Sequence, residues 1–131
     1  MKIPLFLSEL KVTEKSDTEH QGRGTWQLIS PLMFYSVIIN KIIVVPKGFI
    51  TDFESVPRLP FIFWALGDRV TKPSVLHDFL YSRNSNLNLT RKICDRIFLE
   101  AMFSEKISAI YAVTIYSGVR IFGERFFKKL G

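Results

Sequence analysis

Hydrophobic and polar positions divide the chain near residue 60 into two parts with different periodicities. Before this point, β-branched and aromatic runs such as VIINKIIVVPKGFI are interrupted by Ser-Pro, Asn-Lys and Pro-Lys-Gly, a pattern typical of short strands joined by turns. After it, apolar residues recur at helical spacing, as in PSVLHDFLYSR, where Val75 pairs with Phe79 and Leu76 with Leu80. The pattern predicts an α+β fold in which a small N-terminal antiparallel sheet is followed by three or four helices.

The boundaries of the helices are indicated by local start signals. Pro73 suits the first turn of a helix that includes residues 73 to 83, because a first-turn N–H has no helical acceptor. Thr90 is a candidate N-cap, since its hydroxyl can accept a hydrogen bond from a backbone N–H of the next turn. Two further helices are expected, one over residues 91 to about 104 and one over residues 107 to about 128.

Length and composition restrict the class of protein. The 131 residues are 47% hydrophobic, which is enough for one buried core, and we expect a single domain over residues 1–131. The one cysteine, Cys94, excludes an internal disulfide. The longest uncharged stretch near the C-terminus is ISAIYAVTIYSGV, whose 13 residues are fewer than the roughly 20 of a spanning helix. We therefore expect no transmembrane segment.

The net charge of +6 permits binding to an anionic partner. The basic residues are scattered and no nucleic-acid module is recognisable, so a nucleic acid is not expected as a partner. Only the C-terminal stretch RIFGERFFKKLG concentrates basic residues. It fits a solvated helix end whose cations are favoured by the helix dipole, and it also fits an apolar stripe that docks on a partner or a membrane surface. The members of that stripe are Phe122, Phe126, Phe127 and Leu130.

A second feature of the chain is a set of polar residues in GFITDFESVPR and, about twenty positions later, LHDFLY. In the first predicted helix His77, Asp78 and Tyr81 cluster on the side opposite the apolar stripe, so His77 and Asp78 project away from that stripe. In the next helix Asp95 lies on the flank of an apolar face, where a semi-buried carboxylate needs a partner. The candidate site residues are Asp52, Ser55, Arg58, His77, Asp78 and Asp95. We expect all of them except Ser55 to cluster where the turn after the sheet meets the first two helices.

The polar set has a purely structural interpretation. TDFE fits a capping box, in which Thr51 accepts a hydrogen bond from a backbone N–H and Glu54 reaches back. Gly48 allows a backbone conformation that other residues rarely adopt. Arg58 can form a bidentate ion pair with Asp78 or with Asp95.

The same residues have a catalytic interpretation. His77, Asp78 and Asp95 could converge on zinc, manganese or iron, because imidazole nitrogens and carboxylate oxygens are ligands of these metals. An adjacent His-Asp pair is the central element of the phosphohydrolases named after it, but those enzymes need additional histidines and this chain offers only His20. Arg58 would also compete for the carboxylates. We therefore expect no bound metal and no other cofactor.

Two nucleophiles fit the sequence poorly. Cys94 lies within a predicted helix among apolar residues, and not at a helix N-terminus where a thiolate would be favoured. Ser55 lacks the G-x-S-x-G turn that exposes a nucleophilic serine. Covalent catalysis by either residue is therefore not expected.

Four segments resemble, in this order, the signature of a known family: VPKGFITDFESVPR, PSVLHDFLY, RKICDRIFLEAM and YSGVRIFG. The family is small, is carried by tailed bacteriophages and prophages, and is number 1353 in the domain-of-unknown-function series. The resemblance covers residues 26 to 123, approximately. The resemblance implies a phage origin and no particular activity, since genes of this family are often located among tail, baseplate or lysis genes.

This resemblance implies a bacteriophage-encoded accessory protein that is virion-associated, in the tail or baseplate region. Its His/Asp/Arg cluster would be structural or would bind a partner, and its partners would be other phage proteins. The expected location is the virion or the host cytoplasm. Two alternatives are a metal-dependent hydrolase acting on peptidoglycan and a soluble inhibitor of a host defence system.

Overall fold

A computed structural model describes residues 2–15, 25–51 and 66–127 of the chain. Strands precede helices, in the α+β order that the hydrophobic pattern predicts. The described strands are β1 (Leu5–Phe6), β2 (Val12–Glu14), β3 (Trp26–Leu28), β4 (Leu32–Ser36), β5 (Lys41–Val45) and β6 (Ile50–Thr51). They form two three-stranded antiparallel sheets, and not the single small sheet expected from the sequence.

The first sheet has the strand order β1-β4-β5. Phe34 at its centre lies opposite Phe6 on one side and Ile43 on the other. Burial alternates along β4 and β5, so that Ile43 and Val45 are buried whereas Ile42 and Val44 are exposed. This period of two places one face of the sheet against the helices, whereas the other face carries half-buried and exposed side chains.

The second sheet has the order β2-β3-β6, with Trp26 opposite Thr51. The turn before β6 depends on Gly48, which has a φ of +93° and donates from its N–H to the Leu28 carbonyl oxygen over 2.8 Å. A residue with a Cβ rarely adopts this φ, and the special backbone conformation predicted for Gly48 is confirmed.

Three α-helices follow in the described part of the chain: α1 (Thr71–Tyr81), α2 (Arg91–Ser104) and α3 (Ala109–Phe122). Pro73 lies in the first turn of α1, as predicted. Thr90 is confirmed as the N-cap of α2, since its Oγ1 accepts a hydrogen bond from the Ile93 N–H over 3.2 Å. The α3 helix begins later than the sequence indicated, at Ala109, and ends earlier, at Phe122; a short 3-10 turn over Glu124–Phe126 follows it.

The early end of α3 coincides with Gly123, which also lies close to α1. Gly123 follows the helix directly, and glycine is a poor helix former. A Cβ at this position would lie only 2.9 Å from the Tyr81 hydroxyl oxygen. Glycine therefore allows the end of α3 to approach α1 closely.

The helices pack in sequence, α1 on α2 and α2 on α3, and α2 also packs on the first sheet. The α1 helix is buried on both its apolar and its polar sides, because Leu76 and His77 each have an exposed fraction of 0%. His77 therefore points away from the apolar stripe but into the protein interior. None of the helices in the described ranges has the length and apolarity needed to cross a membrane.

Candidate functional site

A fully buried carboxylate lies where the three helices meet. Asp95, on α2, has an exposed fraction of 0% and receives its hydrogen-bond donors from α1 and α3. Its Oδ1 lies 2.7 Å from His77 Nε2 and accepts a hydrogen bond from the Tyr81 hydroxyl over 2.5 Å. Its Oδ2 accepts from Arg120 Nη1 over 2.6 Å and lies 3.6 Å from Arg91 Nη1. We refer to these five residues as the Asp95 centre.

Helical spacing places most of the Asp95 centre. His77 and Tyr81 are four residues apart on α1 and therefore lie on the same face. Arg91 and Asp95 have the same spacing on α2. Arg120 comes from the last turn of α3 and reaches across to α2. The contacts of Asp95 thus fix the relative positions of three helices.

Arg91 makes a second connection between α2 and α3. Its Nη1 donates to the Val119 carbonyl oxygen over 3.2 Å and its Nη2 to the Arg120 carbonyl oxygen over 3.1 Å. Carbonyl groups in the last turn of a helix carry partial negative charge, so a guanidinium there is favourable; the Val119 carbonyl oxygen also accepts from the Gly123 N–H over 2.8 Å. Arg91 therefore satisfies the end of α3 and also adds positive charge near Asp95.

Aromatic rings enclose the polar atoms of the centre. The His77 ring lies between Tyr81 and Phe98, with centroid distances of 4.1 Å and 4.6 Å. Phe127, from the segment after α3, packs edge-on against Tyr81 at 5.2 Å. These rings keep water away from the hydrogen bonds, which are stronger in such surroundings.

Burial and hydrogen bonding set the charge states in the centre. Burial by itself raises the pKa of Asp95, but hydrogen bonds from His77, Tyr81 and Arg120 together hold the pKa below its usual value of 3.8. Burial lowers the pKa of His77 below 6.5 in spite of the adjacent carboxylate. At neutral pH Asp95 is therefore ionised and His77 is a neutral imidazole that donates from Nε2.

The other two donors keep their protons. Burial, followed by the hydrogen bond to Asp95, raises the pKa of the Tyr81 hydroxyl above its ordinary value of 10.0. The hydrogen bond to Asp95 likewise raises the pKa of Arg120. The Asp95 charge is thus balanced by a permanent guanidinium charge, with a second guanidinium nearby on Arg91.

The Asp95 carboxylate has no oxygen left without a hydrogen-bond donor for a metal ion to bind. Both carboxylate oxygens of Asp95 already accept short hydrogen bonds, and a metal ion would have to displace donors that include an arginine. Within residues 2–15, 25–51 and 66–127, no group of three or more His, Cys, Asp or Glu side chains is arranged to hold a metal ion. The arrangement is that of a structural polar network joining three helices.

Asp78 lies next to His77 in sequence but contacts another element. Its Oδ2 accepts a hydrogen bond from the Thr51 hydroxyl over 2.6 Å, which ties α1 to β6. Thr51, predicted to be a capping residue, thus uses its hydroxyl as a donor to Asp78; its predicted capping partner Glu54 lies outside the described residues. The two adjacent residues therefore contact different elements: His77 contacts α2, and Asp78 contacts the second sheet.

Three of the six predicted site residues lie within the described part of the chain: His77, Asp78 and Asp95. His77 and Asp95 are brought into direct contact, and Asp95 is fully buried where the sequence indicated a semi-buried position. Asp52, Ser55 and Arg58 lie outside the described residues, so the five-residue cluster stays a prediction. Cys94 is buried within α2, as predicted, with its Sγ 3.6 Å from the Leu80 carbonyl oxygen.

Three members of the Asp95 centre were absent from the predicted site. Tyr81 and Arg91 could have been included, because each lies four residues from a candidate, His77 and Asp95 respectively. Arg120 has no such local signal, since it is 25 positions from Asp95. The segment YSGVRIFG, noted for its family resemblance, contains Arg120 and was the available indication of its importance.

The geometry defines a small α+β protein whose buried polar centre joins three helices. A family model described as "Protein of unknown function (DUF1353)" matches residues 26–119, which include every member of the Asp95 centre except Arg120. The chain therefore belongs to this family, and the resemblance of the four motifs is confirmed. A comparison with curated proteins and a comparison with solved structures each found no match.

Proposed function

We propose that this protein is a non-enzymatic accessory protein encoded by a bacteriophage and packaged in the virion, in the tail or baseplate region. It acts by binding other phage proteins, and the Asp95 centre serves to hold its helices together. The phage source is supported by the resemblance of the four sequence motifs to proteins of tailed phages.

One observation carries the non-enzymatic part of the proposal. The Asp95 carboxylate, on α2, is completely buried, and its two oxygens are occupied by donors from α1 and α3. A hydrolytic metal site keeps an open position for water, and a general base must reach its substrate. Neither Asp95 nor the equally buried His77 meets these requirements. The hydrolase alternative is therefore less well supported than a structural role.

The binding part of the proposal is supported by the surface. Large hydrophobic side chains are exposed on both the first sheet and α3, including Ile42 with an exposed fraction of 55% and Ile110 with 74%. Extended apolar patches on a small protein commonly mark interaction surfaces. A protein of this size can thus devote much of its surface to partners.

The proposal is tested by quantitative mass spectrometry of phage particles purified on density gradients. We expect this chain in intact particles, at a constant ratio to the major tail protein, and a phage enzyme of the host cytoplasm serves as the control that should be lost. If the chain is abundant in infected cells but is lost with that enzyme, it is not a virion component, and a soluble inhibitor of a host defence system becomes the better interpretation.

A further inference from the structure

Strand β5 lies at an edge of the first sheet among the described strands. It pairs with β4 on one side and with no described strand on the other. It has five residues, whereas the other edge strands of the two described sheets, β1, β2 and β6, have two or three. A regular edge of this length, with the sequence KIIVV, can pair its outward backbone groups with another extended chain.

The sheet face beside this edge is apolar and exposed. Two cross-strand rows form it: Leu5, Tyr35 and Ile42 in one row and Leu7, Met33 and Val44 in the other. The β5 members of these rows, Ile42 and Val44, have exposed fractions of 55% and 46%. An additional strand beside β5 would cover part of these side chains and extend both rows.

The charged residues of β5 itself and of the turn after it are lysines, and the carboxylate of Glu100 on α2 is hydrogen-bonded to the turn before β5. Lys41 begins β5 and Lys47 follows it, both exposed and neither in an ion pair with a described residue. The sequence contains no Asp or Glu from residue 20 to residue 51. Lys2 adds a third cation over the outer face, with its Nζ 5.9 Å from the Tyr35 ring centroid. The complementary occupant is therefore acidic at its ends and apolar between them.

A second copy of this chain fits the edge less well. Antiparallel pairing of two β5 strands would bring the Lys41 end of each copy next to the Lys47 end of the other. Like charges placed opposite each other in a sheet are destabilising. The charges thus favour a different protein with carboxylates at the corresponding positions.

We propose that β5 binds an extended, apolar segment of a partner protein whose two ends carry carboxylates, and that the segment is added to the first sheet as a fourth strand. The extended part of this edge runs from Lys41 to Val45, about 14 Å, and Lys47 lies in the turn that follows, so the acidic groups of the partner flank a segment of about this length. This inference depends on the proposed function only in that the protein acts by binding.

The test uses two fluorescein-labelled peptides with the same alternating valine and threonine core. One has glutamates at both ends and the other has lysines. Fluorescence anisotropy measures their binding to the full chain, and amide hydrogen exchange shows which segment is protected. We expect the acidic peptide to bind, its affinity to fall with added salt, and protection to be confined to β5 and the residues beside it.

Charge-reversed variants make the test specific. In Lys41→Glu/Lys47→Glu the acidic peptide should bind at least about tenfold more weakly and the basic peptide should gain affinity. The matched control is Lys11→Glu/Lys92→Glu, which reverses two other exposed lysines and should bind the acidic peptide as wild type does. Thermal unfolding confirms that all variants are folded.

Several outcomes would overturn the inference. These are equal binding of both peptides, binding of neither, or protection of a segment other than β5. Concentration-dependent self-association that protects β5 would identify a second copy as the occupant, and protection of β5 by anionic lipid vesicles but not by the peptide would identify a membrane surface. These measurements use purified protein, so their outcome is independent of whether the chain is found in virions. The peptide can fail to bind although the chain is packaged, and the peptide can bind although the chain is not packaged.

Discussion

A carboxylate removed from water needs enough donors to replace its hydration, and Asp95 obtains them from His77, Tyr81 and Arg120. The arrangement is sensitive to the loss of its anion, because Arg120 and Arg91 would then face each other without a counter-charge in a partly buried place. The polar residues of α1 and α2 thus contribute to stability through charge balance, in addition to packing.

Removal of the carboxylate should therefore be costly. We expect Asp95→Ala to lower the free energy of unfolding by about 3 to 5 kcal/mol, because it leaves the cationic partner without its anion. Urea denaturation at neutral pH measures the change, with Glu124→Ala as a control at an exposed carboxylate, where about 0.5 kcal/mol or less is expected. A loss below about 1 kcal/mol for Asp95→Ala would show that Asp95 behaves like a residue of an exposed pair.

The neutral state of His77 predicts a pH dependence of stability. The pKa of His77 is lowered in the folded protein, so below its ordinary value of 6.5 the unfolded chain binds a proton that the folded protein does not. Acidification from pH 7 should therefore destabilise the protein, by at most about 1.4 kcal/mol per pH unit from this residue. The pKa of Asp95 is also lowered in the folded protein, so protonation of Asp95 destabilises the protein as well, but only when the pH falls below the ordinary aspartate pKa of 3.8.

Thermal or urea unfolding between pH 7 and pH 5 checks this dependence. His77→Gln, which keeps a donor for Asp95 but cannot be protonated, should lose most of the slope. His20→Gln removes the other histidine of the chain and should leave the pH dependence of stability unchanged. A slope that persists in His77→Gln would mean that another group is responsible.

At the scale of elements, α2 organises the molecule because it contacts both α1 and α3 and also the first sheet. Its contact with the sheet includes Glu100, whose carboxylate accepts hydrogen bonds from the Ser36 hydroxyl over 2.7 Å and from the Val37 and Ile38 N–H groups over 2.8 Å and 3.2 Å. Glu100 thus satisfies the donors of the turn between β4 and β5 and fixes that turn against α2.

Loss of this anchor should affect the turn more than the helix. We expect Glu100→Ala to cost about 2 kcal/mol, because hydrogen bonds to a charged group each contribute about 1.5 to 3 kcal/mol and these are partly solvated. Hydrogen exchange of the Val37 and Ile38 amides should become faster. Glu105→Ala, at the end of the same helix, is the control and should leave these amides unchanged; equal effects of the two substitutions would contradict an anchoring role.

The elements also show how far sequence reasoning extends. The start of α2 and its cap at Thr90 were predictable because an N-cap depends on neighbours in sequence. The division of the strands into two sheets was not, since it depends on pairings such as Trp26 with Thr51 that no local pattern specifies. Similarly, the periodicity of α1 and α2 indicated that His77 and Asp95 need partners, but the choice of Arg120 depends on how α3 crosses them.

At the scale of the whole molecule, a closed polar interior is combined with an exposed apolar exterior. The interior offers no open position at Asp95 or His77, both of which have exposed fractions of 0%. The outer faces of the first sheet and α3 display large hydrophobic residues, among them Val44 and Ile121. This combination supports the proposal that the protein acts through its surface and not through the Asp95 centre.

A closed interior also predicts that the purified protein does not depend on a metal. We expect tag-free protein to contain no stoichiometric transition metal by elemental analysis, and its unfolding temperature to be the same with and without a chelator. One zinc or manganese ion per chain that is lost in His77→Ala would contradict this expectation, as would peptidoglycan cleavage that a chelator abolishes and zinc or manganese restores.

The structural role of the Asp95 centre is tested most directly in the phage that we propose as the source of the chain. A phage that lacks this gene is complemented with the His77→Gln chain, at a temperature where unfolding measurements show the variant to be folded. The efficiency of plating is the measurement, and particle-bound protein is quantified in the same lysates. We expect the variant to restore plating to the level of the wild-type chain, because a folded protein keeps its binding surface. A variant that is folded and present at the wild-type level, yet plates no better than the phage without the gene, would show that His77 has a chemical function.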